Sequence, residues 1–284
     1  MPVSVLADTP THWTEHGSGP TAVLVHCSLG SVGAWLPLTR ALPGRRLLAF
    51  DLPGHGQSGA VDAARGAHTQ TRDVLSEFCA LNASGPVDLV GHSFGATVAL
   101  RFAIEAPERV RSLVLLEPVL FALARQTAPD VFAGYQRASA TENAAFDRND
   151  NAAAARAFYA HWGGPRPWDE LGVETRRYMT SRIELIDEAK PALVDDVHGL
   201  LKDGGAERIQ SPTLLVSGTE SPPVMNAIMD ALAQQIPNAE RMLLAGAGHM
   251  CPLTHAATLG PAIGRFLATA SSQRPFQSFS GAIR

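Results

Sequence analysis

The sequence predicts an α/β fold: a mostly parallel, doubly wound sheet with an inserted helical cap. Three observations lead to it. Short apolar, β-branched runs alternate with helical patterns, as expected of a parallel sheet covered on both faces. The run Pro86-Val87-Asp88-Leu89-Val90 opens into Gly91-His92-Ser93-Phe94-Gly95 and then a helical stretch from Ala96 to Ala103, which reads as strand, sharp turn, helix. Between Val119 and about Ile209 the alternation stops and alanine-rich helical stretches replace it.

In chain order, Thr21 to His26 is a buried strand. Arg46 to Phe50 is the next, ending in the loop Asp51-Leu52-Pro53-Gly54-His55-Gly56-Gln57-Ser58. Val87 to Val90 leads into the turn at Ser93, whose flanking glycines remove the Cβ atoms that would clash in so tight a bend. Arg111 to Leu116 is a fourth strand, ending at Glu117-Pro118. Pro212 to Ser217 is a fifth, and Arg241 to Ala245 a sixth that runs into Gly246-Ala247-Gly248-His249. Ser221 followed by Pro222 reads as the N-cap and first turn of a helix through about Ile236. His255 is placed in the last helix.

These elements divide the chain into a core of residues 1–118 and 210–270, a helical cap of 119–209, and a flexible tail of 271–284. The cap segment holds about half of the aromatic residues, among them Phe121, Phe132, Phe158, Tyr159, Trp162, Trp168 and Tyr178. Such side chains either pack the cap onto the core or line an apolar substrate pocket.

Composition narrows the function. With 45% apolar and 18% charged residues the chain can bury a substantial core, and a net charge of −4 gives no basic footprint for nucleic acid. Cys27, Cys79 and Cys251 are widely spaced and odd in number, which predicts a reducing compartment without a disulfide framework or a zinc cluster. The N-terminal residues lack a basic start followed by a long apolar run, and no stretch is long enough to span a bilayer. The expectation is a cytoplasmic protein that takes a small-molecule substrate, without nucleic acid, membrane, cofactor or metal.

The chemistry centres on Ser93. A serine hydroxyl attacks a carbonyl only when an imidazole takes its proton, and that imidazole needs a carboxylate to fix its tautomer. Of the ten histidines, His249 follows a strand end in a glycine-rich loop that lets its ring turn back over the sheet edge. His55 and His92 are weaker candidates. For the carboxylate, Glu117 closes a buried apolar run at the carboxyl end of a strand, where catalytic groups of open parallel sheets gather. Glu220, after the fifth strand, is the alternative; the position one further on, where an acid is sought, is Ser221. Backbone N–H groups of Phe94 and Ser28 are the expected donors to the oxyanion.

Together these motifs resemble the α/β-hydrolase superfamily, in its serine-nucleophile branch. The resemblance covers most of the chain, through His26 to Gly30, the D-x-P-G-x-G-x-S loop at Asp51 to Ser58, the elbow at Gly91 to Gly95, Leu113 to Pro118, and Gly246 to His249. It implies Ser93 as nucleophile and His249 as base. Two positions depart from the pattern. His26-Cys27 stands where the family usually has His-Gly, which bears on the course of the oxyanion loop. The usual aspartate after the fifth strand is absent, and relatives that carry the acid after the earlier strand support Glu117. A serine in place of an aspartate nucleophile argues against the haloalkane dehalogenase and epoxide hydrolase branches.

The expected activity is cofactor-free hydrolysis of an ester, thioester, lactone or similar acyl bond. Two alternatives remain: a carbon–carbon bond hydrolase of aromatic-degradation products, for which Arg125, Arg166 and Arg182 are the candidate carboxylate binders, and a non-catalytic small-molecule receptor on a hydrolase frame.

Overall fold

The computed structural model describes residues 2–164 and 166–272. Among them an eight-stranded sheet runs in the order β1-β2-β4-β3-β5-β6-β7-β8. Its strands are β1 (Val3–Leu6), β2 (Thr9–His16), β3 (Thr21–Val25), β4 (Arg46–Phe50), β5 (Val87–His92), β6 (Val110–Leu116), β7 (Thr213–Gly218) and β8 (Ala239–Leu244). From β4 to β8 all pairings are parallel, and β1 and β2 join as an antiparallel ribbon on β4. The ribbon was not foreseen. Its second strand, Thr-Pro-Thr-His-Trp-Thr-Glu-His, is mostly polar, and its tight turn uses Ala7 and Asp8 at positive φ in place of glycine or asparagine.

Alternation along each central strand builds two cores. Val23 and Val25, Leu48 and Phe50, and Leu113 and Leu115 face one side, together with α2 (Ala67–Asn82), α3 (Phe94–Glu105) and α11 (Pro223–Gln235). Ala22 and Leu24, Leu47 and Ala49, and Val114 and Leu116 face the other, against α1 (Leu36–Ala41) and α13 (Ala256–Ser272), with α12 (Cys251–Thr254) beside them. The two-residue period of a strand with both faces covered is thus carried by apolar residues on both faces.

Between β6 and β7 the described residues form helices and turns without a strand: α4 (Phe121–Thr127), α5 (Pro129–Ala138), α6 (Ala140–Asp147), α7 (Asn151–Trp162), α8 (Val173–Thr180), α9 (Glu184–Glu188) and α10 (Lys190–Leu193). The alanine-rich stretch is α7, capped by the Asp150 carboxylate accepting the Ala153 N–H at 3.0 Å. Ala145, Ala154, Ala155, Met179 and Ile183 of this segment form a cluster of their own with Leu29, while its base joins the main core. Phe121 and Leu123 of α4 belong to the same apolar cluster as Met225 of α11.

Three expectations are corrected. The helix after β7 starts at Pro223, one residue later than the Ser221 cap and Pro222 start read from sequence: Pro222 takes an extended conformation (φ −51°, ψ 140°) as N-cap, which leaves the Ser221 hydroxyl outside the helix and free to bond elsewhere. His255 lies between α12 and α13 rather than in a helix. The tail cannot begin at residue 271, because α13 runs to Ser272; residues 273–284 lie outside the described residues.

The order β4-β3-β5 reverses the winding of the sheet between β3 and β5, and such a switch point opens a crevice at the carboxyl ends of the strands. The elbow glycines let α3 pack close there. A Cβ at Gly95 would lie 2.2 Å from the Val25 carbonyl oxygen and 2.4 Å from that of His26, both backbone atoms that cannot swing away. Gly95→Ala is therefore expected to destabilise the fold by about 1–3 kcal/mol, the usual cost of overpacking, read as a lowered urea midpoint with an unchanged slope.

Candidate active site

Ser93 is held at φ 56° and ψ −119° between the end of β5 and the start of α3. Such a conformation costs a non-glycine residue about 1–3 kcal/mol and persists only where the surroundings enforce it. Its N–H donates to the Leu116 carbonyl at 2.9 Å, and its carbonyl accepts from Thr97 N–H at 3.1 Å. The hydroxyl is thereby presented to His249, whose Nε2 lies 2.9 Å from Ser93 Oγ. His249 Nδ1 lies 2.6 Å from Glu117 Oε2.

Glu117 is fully buried and also at positive φ (49°). Burial alone would raise its pKa. The bond from His249, that residue's charge, the hydroxyl of Ser221 and the Gly218 N–H (2.8 Å) more than offset this, and the carboxyl is held below its ordinary range. An ionised carboxylate only accepts, so Nδ1 of His249 carries the proton and Nε2 offers its lone pair to the serine O–H. Glu220 is exposed and is bonded through its N–H to the Ala247 carbonyl. The structure thus brings together Ser93, His249 and Glu117, and leaves Glu220 apart. Ser221, read from sequence as a helix cap, serves Glu117 instead.

The other histidines have separate tasks. His92 Nε2 donates to the His249 carbonyl at 2.8 Å and steadies the loop that carries His249. His55 is turned to the Pro53 carbonyl. His26 accepts the Leu52 N–H through Nε2 at 3.1 Å, so its Nδ1 is the donor to the Cys27 carbonyl at 2.7 Å. That bond pins the loop Cys27–Gly30. The left-handed residue in the loop is Leu29 (φ 57°), not Cys27, so the missing glycine brings no backbone penalty at that position. Ser28 lines the same cavity as Ser93, and Phe94 heads α3, where the first N–H groups have no partner within the helix.

Ser93 and His249 open into a cavity of about 690 Å³ between the sheet edge and the cap. Phe121, Phe132, Phe158, Tyr159 and Trp162 line it, joined by Tyr135 and Phe146, which sequence reading did not single out. The Trp162 ring sits 4.6 Å from that of His249. Tyr178 does not line the cavity. Its hydroxyl donates to the Gly30 carbonyl at 2.8 Å and accepts the Gly56 N–H at 2.9 Å, tying α8 to the loop Cys27–Gly30. Trp168 also lies away from it, packed on Tyr159. None of the three arginines considered for a substrate carboxylate is in the described wall. Arg125 meets Asp195, Arg182 covers Tyr178 and donates to the Gly54 carbonyl, and Arg166 is exposed.

Residues 20–256 match the family model of the alpha/beta hydrolase fold. The chain belongs to this family. The 2-hydroxymuconate semialdehyde hydrolase of Pseudomonas putida is 30% identical over 267 residues, which cover 90% of this chain and 86% of that protein. The haloalkane dehalogenase of Agrobacterium fabrum is 41% identical over 110 residues, only 38% of this chain and 36% of that protein. The enol-lactonase from Burkholderia xenovorans LB400 shares the fold with a TM-score of 0.73 at 19% identity, over 94% of this chain and all of that one. No helix among the described residues is long and apolar enough to cross a membrane.

The histidines around the site of this hydrolase set its response to acid. Burial, the largest cause in each case, lowers the pKa of His26 to about 4 and those of His55 and His92 to about 3, and it carries His68 well below its ordinary range. These rings are neutral when folded and become charged on unfolding below pH 6.5. Their contribution is complete above that pH and is lost as the pH falls towards the folded values, by up to about 1.4 kcal/mol per pH unit for each group. Glu142, raised to about 7 by burial, works in the opposite sense between pH 7 and 4.5, but it is one group against four. The urea midpoint is therefore expected to fall from pH 7.5 to pH 5.5; a rise would show that these rings are not buried neutral.

Proposed function

We propose that this protein is a serine hydrolase of small acyl compounds (an ester, thioester, lactone or similar), with Ser93 as nucleophile, His249 as general base and acid, Glu117 as the orienting carboxylate, and the N–H groups of Phe94 and Ser28 as oxyanion donors. The observation that carries this reading is the continuous hydrogen-bonded line from Glu117 through His249 to Ser93 at the floor of an aromatic cavity. Residues 119–209 act as the cap that shapes this cavity, and three buried, unpaired cysteines support a cytoplasmic location.

Ser93 Oγ forms a bond to the acyl carbon as His249 Nε2 takes its proton, and the carbonyl π pair moves onto oxygen. The oxyanion faces the two main-chain donors. Collapse expels the leaving group, which receives the proton from Nε2. Water then attacks the acyl-enzyme, losing its proton to Nε2. The acid departs and Ser93 regains a proton. Water is the only co-reactant, so the mechanism calls for no cofactor.

A second reading is hydrolysis of a carbon–carbon bond in an aromatic ring-cleavage product, favoured by the near full-length similarity to 2-hydroxymuconate semialdehyde hydrolase. The described cavity wall offers such an acidic substrate no arginine, and its Lys190 is already paired with Asp187 at 2.5 Å. Acyl hydrolysis is the better supported.

Ser93→Ala is expected to lower kcat/KM on an activated ester by on the order of 10⁴-fold or more, and to abolish fluorophosphonate labelling that maps to Ser93 in the unaltered protein. Retained turnover would mean that another group attacks; a receptor would show neither turnover nor labelling.

Glu117→Gln is expected to cost on the order of 10³–10⁴-fold in kcat, whereas Glu220→Gln stays near the parent rate. The reverse order in a parallel assay would move the acid to position 220.

A further inference from the structure

Of the charged side chains that line the cavity and take no part in the proposed chemistry, one is buried. Glu142, in the first turn of α6, lines the cavity and is only 5% exposed. Among the described residues no hydrogen bond reaches its carboxylate. Lys190, whose charge acts on Glu142, is engaged with Asn143 Oδ1 at 2.8 Å and Asp187 Oδ1 at 2.5 Å. Burial raises the Glu142 pKa to about 7, with Lys190 opposing and Asp187 adding to the rise. A buried carboxylate without a donor is costly, and the cost falls when a cation arrives to pair with it.

The surroundings select the kind of cation. Tyr135 and Phe146 share this wall; Tyr135 is stacked on Phe121 at 4.2 Å, and the Lys190 ammonium already lies 5.0 Å from the centre of the Phe146 ring, so this wall accepts an ammonium group. Asp147 and Asp187 also line the cavity, so its described charged side chains are three acids and one lysine. An anionic group would be repelled there, and a neutral hydroxyl would gain less than a charged donor.

We propose that Glu142 forms a subsite for a basic amino group, so that the preferred substrates are acyl compounds carrying an ammonium group away from the scissile bond. This rests on the acyl-hydrolase reading for its chemistry, but not for the binding of the amine itself. Substrate enters with its carbonyl at Ser93 and its aliphatic stem along the aromatic wall. The ammonium donates to Glu142, and the desolvated carboxylate gains the partner it lacks.

The test compares p-nitrophenyl esters from butanoyl to octanoyl that end in a dimethylammonium group with isosteres that end in an isopropyl group, at pH 8. At the best chain length the charged ester is expected to have the higher kcat/KM by at least about tenfold. In Glu142→Gln that ratio should collapse to near or below one. A wild-type ratio below one at every length, or a ratio that Glu142→Gln leaves unchanged, overturns the proposal. The wild-type ratio decides alone if the variant does not fold. If no ester is turned over, the acyl-hydrolase reading fails, and calorimetry with N,N-dimethylhexylamine still tests the subsite. Binding at least about tenfold weaker in Glu142→Gln supports it; equal binding to both proteins, or none to the unaltered protein, overturns it.

Discussion

Glu117 carries a carboxylate with no exposed surface, and a charge so placed must be met on every side or it takes up a proton. The donors that meet it come from widely separated parts of the chain: Gly218 at the end of β7, Ser221 in the loop that follows, and His249 beyond β8. None of these groups is near Glu117 in sequence. Their convergence therefore requires that β6, β7 and β8 be paired in register before the charge can be held. The site is in this sense a product of the finished sheet. The same convergence orients His249, because a carboxylate that only accepts leaves that ring no choice of tautomer.

The strand ends share a second feature. Leu29 after β3, Ser93 after β5 and Glu117 after β6 all take positive φ without being glycine. Each turn is sharper than an ordinary side chain favours, and each follows one of three adjacent parallel strands. Strain is placed where the chain must leave the sheet and present a group to the crevice, while the strands beneath are buried apolar runs that can hold it. The close contact of Gly95 with the carbonyls of Val25 and His26 shows how little room remains between the elbow and its neighbour.

Much of this was legible in the residues. Buried parallel strands announce themselves by continuous apolar runs, and the elbow by its glycines, so six strands, Ser93 and His249 could be placed from local pattern alone. Glu117 was legible because an acid abruptly ends an apolar run. What escaped shares a different physical basis. β1 has only four residues and β2 is mostly polar, so the pairing of the ribbon with β4 comes from tertiary packing rather than from its own pattern. Ser221 looked like a cap because capping is a local rule, whereas its partner lies a whole cap segment away in sequence. For Tyr178 and Trp168, composition left open whether the ring lines the pocket or packs the cap. Which ring faces a cavity depends on helix rotation, and short irregular helices give too weak a period to fix that.

The cap also constrains how protons move. His249 is 4% exposed and Glu117 not at all, and Trp162 lies against the imidazole from the cap side. The His249–Glu117 bond is thus shielded, which strengthens its electrostatics relative to water, while Nε2 faces Ser93 and the cavity. Under the proposed mechanism, the proton that Nε2 gives to a leaving group is then the one it took from Ser93. The water for deacylation must enter by the cavity that the leaving group vacates. In that scheme the described cavity serves acyl group, leaving group and water, so departure of the first product is a condition for the second half of the reaction. The residues that decide what occupies the cavity also govern how quickly water replaces it.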